Sequence, residues 1–425
     1  MATTQRPLTL GVVADDFTGA TDVASMLVRA GMRTVLVIGV PAEPPPQADA
    51  VVVALKSRTI APAEAVAQSL AAWDWLRAAG ARQCYFKYCS TFDSTPQGNI
   101  GPVTQALLAR TGGDFTIACP AFPENGRTIY RGHLFVGDQL LSESGMRHHP
   151  LTPMTDANLV RVLQAQTQLR VGLLGHEATG AGAEAVRERM AALRAEGVAV
   201  AVADAVRNED LLALAEACAD LPLVTAGSGL ALGLPAAYAT RGWLQPDAAA
   251  GDTGAVGGLA AVLSGSCSAA TNAQVQRWLD DRRPAWRIDP LAAAGEEAIA
   301  DAALDWAGPR LADGPVLVYA TASPDEVRRV QQALGVQQAG ERVERILAHT
   351  ARRLHDAGVR RFVVAGGESS GAVTAALGVG QLRIGVTIAP GVPWCRAADR
   401  PLALALKSGN FGTVDFFARA LELQA

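Results

Sequence analysis

Val363-Val364-Ala365-Gly366-Gly367-Glu368-Ser369-Ser370-Gly371 is the stretch whose reading decides the fold. Arg361 to Ala365 has the β-branched and aromatic centre, bounded by small residues, of a short buried strand. Gly366-Gly367 forces a tight turn, and Ala372 to Leu377 reads as the start of a helix. Strand, glycine-rich turn and helix in succession bring free backbone N–H groups and a helix N-terminus to one place, which is how backbone meets phosphate. The stretch matches neither G-x-x-x-x-G-K-S/T nor G-x-G-x-x-G. A turn that needs small residues only for packing is the competing reading, so the surroundings decide.

Two further loops of this kind lie in the same half. Leu259 to Leu263 reads as a strand that runs into Ser264-Gly265-Ser266-Cys267-Ser268 and then a helix, Ala269 to Asp280. Cys267 has no Cys-His arrangement around it and reads as structural. Leu402 to Leu406 is the last expected strand; it ends in Lys407-Ser408-Gly409-Asn410-Phe411-Gly412, before a final helix, Val414 to Leu423. Lys407 beside a glycine turn is placed to meet phosphate as a point charge. Between these loops the pattern predicts a strand over Val316 to Tyr319, a long helix over Gly340 to Ala357 and a strand over Leu382 to Ile388. Pro390 to Trp394 reads as a rigid turn.

The other half alternates in the same way. Leu8 to Ala14 reads as a strand ending in Asp15-Asp16, followed by a helix from Thr21 to Ala30. Ala50 to Ala54 leads to Lys56 and Arg58, Tyr85 to Tyr88 to Asp93 and Asn99, and Phe115 to Cys119 to Asn125 and Arg127. Open α/β sheets bind ligands at the carboxyl ends of their strands. Four such ends carrying acids, amides, hydroxyls and cations suit a small polyhydroxylated acid. Arg offers a fork to a carboxylate, and Asp and Asn exchange hydrogen bonds with hydroxyls. A lone carboxylate at a helix start is commonly just a cap; two in a row exceed that need. Tyr130 to Asn158 breaks the rhythm and reads as a functional insertion. Its histidines, His133, His148 and His149, fit no usual metal-ligand spacing. Gly227-Ser228-Gly229 reads as a second place of close backbone approach, beside a cleft between domains.

The whole is expected to be an α/β chain of two Rossmann-like domains with largely parallel sheets facing an inter-domain cleft. At 425 residues it exceeds one typical domain. The clearest composition break, residues 247–258, is Gly- and Ala-rich like a linker, giving domains 1–246 and 259–425. Hydrophobic residues make up 49% and charged residues 18%, enough for large cores. A net charge of −4 gives no electrostatic case for nucleic acid. No run of about 18 apolar residues marks a membrane span. Met1 to Pro7 lacks a signal peptide's apolar core, and six scattered cysteines form no C-x-x-C pair. A cytoplasmic protein with reduced thiols is expected, and a homodimer is compatible with the sequence.

The motifs together resemble the four-carbon acid sugar kinases. The resemblance is carried by Val13-Ala14-Asp15-Asp16-Phe17-Thr18-Gly19-Ala20-Thr21-Asp22, Ser90-Thr91-Phe92-Asp93-Ser94-Thr95, Gly98-Asn99-Ile100-Gly101, Ala365 to Gly371 and Lys407 to Gly412. The run Phe135-Val136-Gly137-Asp138, with Ser144 to Met154, is most similar to the 3-oxo-tetronate 4-kinases of that family. D-threonate and D-erythronate kinases are the alternative, and a nonenzymatic sugar-acid sensor is a reading from another class. The resemblance implies ATP contacts at Ser264, Gly265, Ser266, Ala365, Gly366, Gly367, Glu368, Ser369 and Gly409. It implies sugar-acid contacts at Asp15, Asp16, Arg58, Lys87, Asp93 and Asn99. On this reading Mg²⁺ accompanies ATP, Lys407 balances charge on the transferred group, and either Asp16 or Asp93 takes the hydroxyl proton. A hydroxy-acid dehydrogenase, also two-domain α/β, would need the G-x-G-x-x-G that is missing.

Overall fold

The computed structural model of the chain describes residues 8–149 and 151–423. The short polar segment 1–7 and Pro150, part of the family-like run, lie outside the described residues. The chain divides into two compact units, Met1–Gly251 and Asp252–Ala425. Each is an α/β unit with a largely parallel sheet, the expected class.

In the first unit the strands are β1 (Leu10–Ala14), β2 (Thr34–Ile38), β3 (Ala50–Ala54), β4 (Gln83–Lys87), β5 (Thr116–Cys119), β6 (Arg127–Tyr130), β7 (His133–Val136), β8 (Gln139–Leu140), β9 (Val171–Leu174), β10 (Val200–Ala203) and β11 (Leu223–Ala226). The main sheet runs β2-β3-β1-β4-β11-β5-β10-β9, all parallel. β1, β3 and β4 are buried along their whole length. Helices cover both faces, so these strands read as continuous apolar runs rather than alternating ones. Each fully buried Val or Leu contributes about 1.5–3 kcal/mol by leaving water. The register pairs Ala14 with Ala54 and with Lys87. The loops after β1, β3 and β4 therefore emerge side by side, which is what gathers their polar residues.

The segment that breaks the alternation holds a small antiparallel sheet, β6-β7-β8, followed by short turns of helix at Leu141–Glu143 and Gly145–His148. Asp204, at the end of β10, fastens it: its carboxylate accepts from the backbone N–H of Arg131 (2.7 Å), Gly132 (2.8 Å) and His176 (3.0 Å). Two of the three histidines make local contacts. His133 Nδ1 pairs with Arg131 O at 2.9 Å, and His149 Nδ1 accepts from Thr152 N at 3.1 Å.

The second unit holds β12 (Leu259–Ser264), β13 (Ala285–Arg287), β14 (Val316–Tyr319), β15 (Val359–Ala365), β16 (Gln381–Ala389), β17 (Val392–Ala397) and β18 (Ala403–Lys407), in the order β13-β14-β12-β15-β18-β17-β16. β13, β14, β12, β15 and β18 are parallel, and β17 alone reverses, pairing antiparallel with both β18 and β16. This corrects the reading of 390–394: only Pro390-Gly391 turns, and Val392 to Trp394 already belong to β17. Pro393 is tolerated because the β16–β17 register shifts beside it, so no ladder donor is needed there. The indole N–H of Trp394 donates to Ala420 O at 3.0 Å, and the ring is buried with Trp278, Phe416 and Phe417 over the sheet. The long helix begins earlier than expected, spanning Val336–Asp356. Among the described residues no helix is long and apolar enough to cross a membrane.

Candidate functional site

In the first unit Arg58 is the hub. Its Nε donates to Asp15 Oδ2 at 3.0 Å; its Nη2 donates to Asp15 Oδ1 at 2.8 Å and to Asp16 Oδ1 at 2.7 Å. Its Nη1 faces Asp93 Oδ2 at 3.9 Å. The fork geometry of guanidinium makes this three-carboxylate arrangement possible; an ammonium would hold one carboxylate well and the others poorly. Burial pushes the Asp15 carboxyl above the usual carboxylate range despite Arg58. At Asp16 desolvation also pushes upward, but Arg58 and Lys87, helped by Thr18 and the N–H of Gly19, bring the carboxyl below the usual value.

Asp16 has a second task. It is the N-cap of the helix Phe17–Arg29 and accepts from Gly19 N at 2.9 Å. Gly19 is required by space. A Cβ there would lie 2.3 Å from Asp16 Oδ1 and 2.9 Å from Lys87 Nζ. Lys87, at the end of β4, is buried and donates to Tyr88 O at 2.8 Å. Asp93 accepts from Thr91 Oγ1 at 2.6 Å.

The structure thus brings Asp15, Asp16, Arg58, Lys87 and Asp93 together. Asn99 acts differently from the expected substrate contact. Its Nδ2 donates to the carbonyls of Ser57 (2.6 Å), Arg58 (3.1 Å) and Ile60 (3.0 Å), fixing the loop that presents Arg58. One residue escaped the sequence reading, and two others take roles that it did not assign. Gln166 Nε2 donates to Ser94 Oγ and Thr95 O, both at 2.7 Å, and its Oε1 accepts from Gly101 N at 2.8 Å, sewing up the hydroxyl-rich loop. Ser228 Oγ donates to Asp22 Oδ2 at 2.5 Å, and both are buried. Asp22 lies one helical turn beyond Gly19, at the end of the motif that carries the family resemblance. The glycines flanking Ser228 are explained by the chain itself: a Cβ at Gly227 would meet Pro120 O at 2.8 Å, and one at Gly229 would meet Ala121 O at 2.7 Å.

The second unit contains a cavity of about 600 Å³, within the range of nucleotide-sized pockets. Gly265, Ser266, Gly366, Gly367, Ser369 and Gly409 line it. Val327 and Val330 of the helix Pro324–Leu334 and Val336, Ala339 and Val343 of the next helix add apolar lining, beside the charged Glu326 and Arg329. Glu368 also lines it, from the first turn of the helix Gly367–Ala376. Gly366 has φ +123°, open in practice only to glycine. Gly265 lets Ser369 approach: a Cβ there would lie 2.2 Å from Ser369 Oγ. A lining that holds the N-terminus of the helix Gly367–Ala376 together with several valines can meet phosphates with the first and a flat base with the second.

Three expected contacts take particular forms here. Ser264 Oγ is buried against Thr321 Oγ1 at 2.6 Å, and Ala365 is buried at the end of β15, its carbonyl accepting from Gly265 N and Ser266 N. Lys407 is fully buried; its Nζ donates to Thr271 Oγ1, Ser408 O and Gly409 O, each at 3.0 Å. Two of these hydrogen bonds go to the turn that carries Gly409 and the third to Thr271 on the helix Ala269–Asp280. The Cys267 thiol lines the cavity, and burial raises its pKa, which suits no nucleophile. Among the described residues no group of three or more His, Cys, Asp or Glu could hold a metal.

Known proteins bear on both units. Residues 10–234 match a family model described as a sugar-binding N-terminal domain, and residues 261–417 one described as a nucleotide-binding C-terminal domain. The chain is 63% identical to a 3-oxo-tetronate kinase of Cupriavidus necator, over 98% of this chain and 97% of that one. It is 48% identical to the 3-oxo-tetronate kinase of Brucella melitensis, over 97% and 95%. Among solved structures it is similar to a Salmonella typhimurium protein described as a putative tRNA synthase, with a TM-score of 0.88, 47% identity, and coverage of 98% of this chain and 100% of that one. A Haemophilus influenzae protein superposes with a TM-score of 0.78 at 47% identity, over 97% and 99%.

Proposed function

From its membership of the family of 3-oxo-tetronate kinases, to which this chain belongs, we propose that it is an ATP-dependent kinase. It phosphorylates the 4-hydroxyl of a four-carbon sugar acid, with 3-oxo-tetronate as substrate. The observation that carries the reading is the pairing of chemistries within one chain. One unit offers a cation held among carboxylates at parallel strand ends, and the other a cavity lined by a helix N-terminus and several valines.

In phosphoryl transfer the protein's work is positioning and electrostatics. The first-turn N–H groups of the helix Gly367–Ala376 and the Gly409 turn hold the nucleotide phosphates, since the N–H groups of Gly265, Ser266 and Gly366 are already bonded within the fold. Lys87 meets the sugar acid's carboxylate, and Arg58 adds its Nη1. Asp93 takes the proton of the 4-hydroxyl. Asp16 is the poorer base because it already accepts from Gly19, Thr18 and Arg58. Mg²⁺ prefers oxygen ligands and keeps several waters. The Glu368 carboxylate and Ser369 hydroxyl in the cavity lining fit that preference. When bound, the ion supplies neutralisation of phosphate charge.

An ADP-release assay with Mg²⁺ against 3-oxo-tetronates, D-threonate, L-threonate and D-erythronate tests the reading. Turnover on the oxo acid alone supports it. Turnover on a plain tetronate moves the substrate within the family. ATP binding with no turnover on any of them refutes the substrate class. For the base, Asp93→Asn is expected to lose at least about 100-fold in kcat, with a smaller loss for Asp16→Asn; the reverse order would exchange their roles.

A further inference from the structure

Lys407 is an uncommon kind of lysine. It ends β18 fully buried, and its ammonium touches only neutral oxygens: Thr271 Oγ1, Ser408 O and Gly409 O. The elements around it carry other titratable or charged groups. These are Arg360 and Arg361 on β15, Cys395 and Arg396 on β17, Glu368 on the helix Gly367–Ala376, Arg277 and Asp280 on the helix Ala269–Asp280, and Cys267 before it. Arg361 and Arg396 both stand opposite Ala403, at the far end of β18 from Lys407. Among the described residues no carboxylate pairs with Nζ. Burial is the sole cause moving its pKa, which falls to about 7. Burying a charge without a counter-charge is costly.

The same ammonium is nonetheless one hydrogen bond from the lining of the cavity. Gly409 lines that cavity, and its carbonyl accepts from Ser268 Oγ (2.6 Å), Thr271 Oγ1 (2.8 Å) and Lys407 Nζ (3.0 Å). Gly366, on the neighbouring turn, donates its N–H to Lys407 O at 2.9 Å. We propose that Lys407 is a positioning residue that holds a charge in reserve for nucleotide: the phosphates of the bound nucleotide supply the counter-charge its neutral partners lack, so that nucleotide and proton bind together. This rests on the nucleotide reading of the cavity and not on the identity of the sugar acid.

Titration calorimetry with MgADP, and with adenosine as the phosphate-free probe, tests it. Each is run in two buffers of different ionisation enthalpy, from pH 7 to pH 8.5, where the phosphate oxygens are already ionised. MgADP is expected to take up a proton, approaching one per site as pH rises, with affinity weakening toward a limit of about tenfold per pH unit. Adenosine is expected to bind with no proton uptake. Lys407→Met should bind MgADP more weakly at pH 7 and lose the pH dependence, and Lys407→Arg should keep the affinity while losing the dependence. MgADP binding by the wild-type protein without proton uptake would overturn the proposal and leave the nucleotide site standing. No MgADP binding at all would remove the nucleotide reading, and the proposal with it. The wild-type measurement decides the matter even if a variant fails to fold.

Discussion

Replacing Arg58 by Met tests whether the acid cluster is one buried network. The substitution keeps most of the side-chain volume and removes the guanidinium. Two carboxylates, Asp15 and Asp16, then lose three hydrogen bonds of 2.7–3.0 Å. The side chain of Asp15 is only 7% exposed and that of Asp16 25%, so water restores little. Breaking a buried pair by removing one partner costs about 3–5 kcal/mol, mostly from the charge left behind. In a unit of this size each kcal/mol moves the melting temperature by about 2–4 °C, so a drop of about 6–20 °C is expected. The loss should shrink with acid. Without Arg58 both folded-state carboxyl pKa values rise above their unfolded values, so the penalty is present at neutral pH and fades as pH falls through the raised values. Calorimetric melting at pH 7 and pH 5 measures this. Asp15→Asn in the Arg58→Met background should recover about 1–3 kcal/mol as a coupling energy. A melting temperature within about 2 °C of wild type at pH 7, or no coupling to Asp15, would refute the network.

The remaining predictions separate the two units. Gly265→Ala places a Cβ 2.2 Å from Ser369 Oγ. It should raise KM for ATP at least about tenfold, from a cost of the order of 1.4 kcal/mol, with KM for the sugar acid unchanged. Gly19→Ala, crowding Asp16 and Lys87, should do the opposite, and steady-state kinetics in both substrates reads the contrast. Asn99→Ala leaves three carbonyls without their donor. It should cost about 1–3 kcal/mol in urea unfolding and lower kcat through a loosened Arg58 loop; a kcat equal to wild type would sink the positioning role. Lys407 sets a further pH dependence. The unfolded chain keeps the lysine proton up to about pH 10.5, whereas the folded protein releases it near pH 7. Stability from this group is therefore expected to rise with pH between those values. Urea midpoints at pH 7 and pH 9 should show that rise in the wild type and its absence in Lys407→Met.

Much of the architecture is written locally. Val363 to Gly371 specifies a buried strand, a turn only glycine can make and a helix, because β-branched content, positive φ and helix propensity are properties of neighbouring residues. The same holds for β1 with Asp15-Asp16, for β3 before Arg58 and for β4 before Asp93, so the polar strand ends of the first unit were legible as a group. Pro393 misled for the same reason: its local preference for a turn yields to a register shift that only the paired strand β16 reveals.

What each polar group does was decided by tertiary structure. Asn99 and Ser57 are 42 residues apart, Gln166 and Ser94 72, Lys407 and Thr271 136, and Asp22 and Ser228 206. Buried donors and acceptors must find partners, and the partner is set by which loops the sheet register places together, not by the residues beside them. The sequence by itself therefore determined that this chain is a two-domain α/β protein with polar strand ends and glycine-rich turns. Only the tertiary structure decided that Arg58 is held among acids, that Asn99 holds Arg58's loop and that Lys407 is a buried charge without a counter-ion, because those facts are properties of distances across the fold.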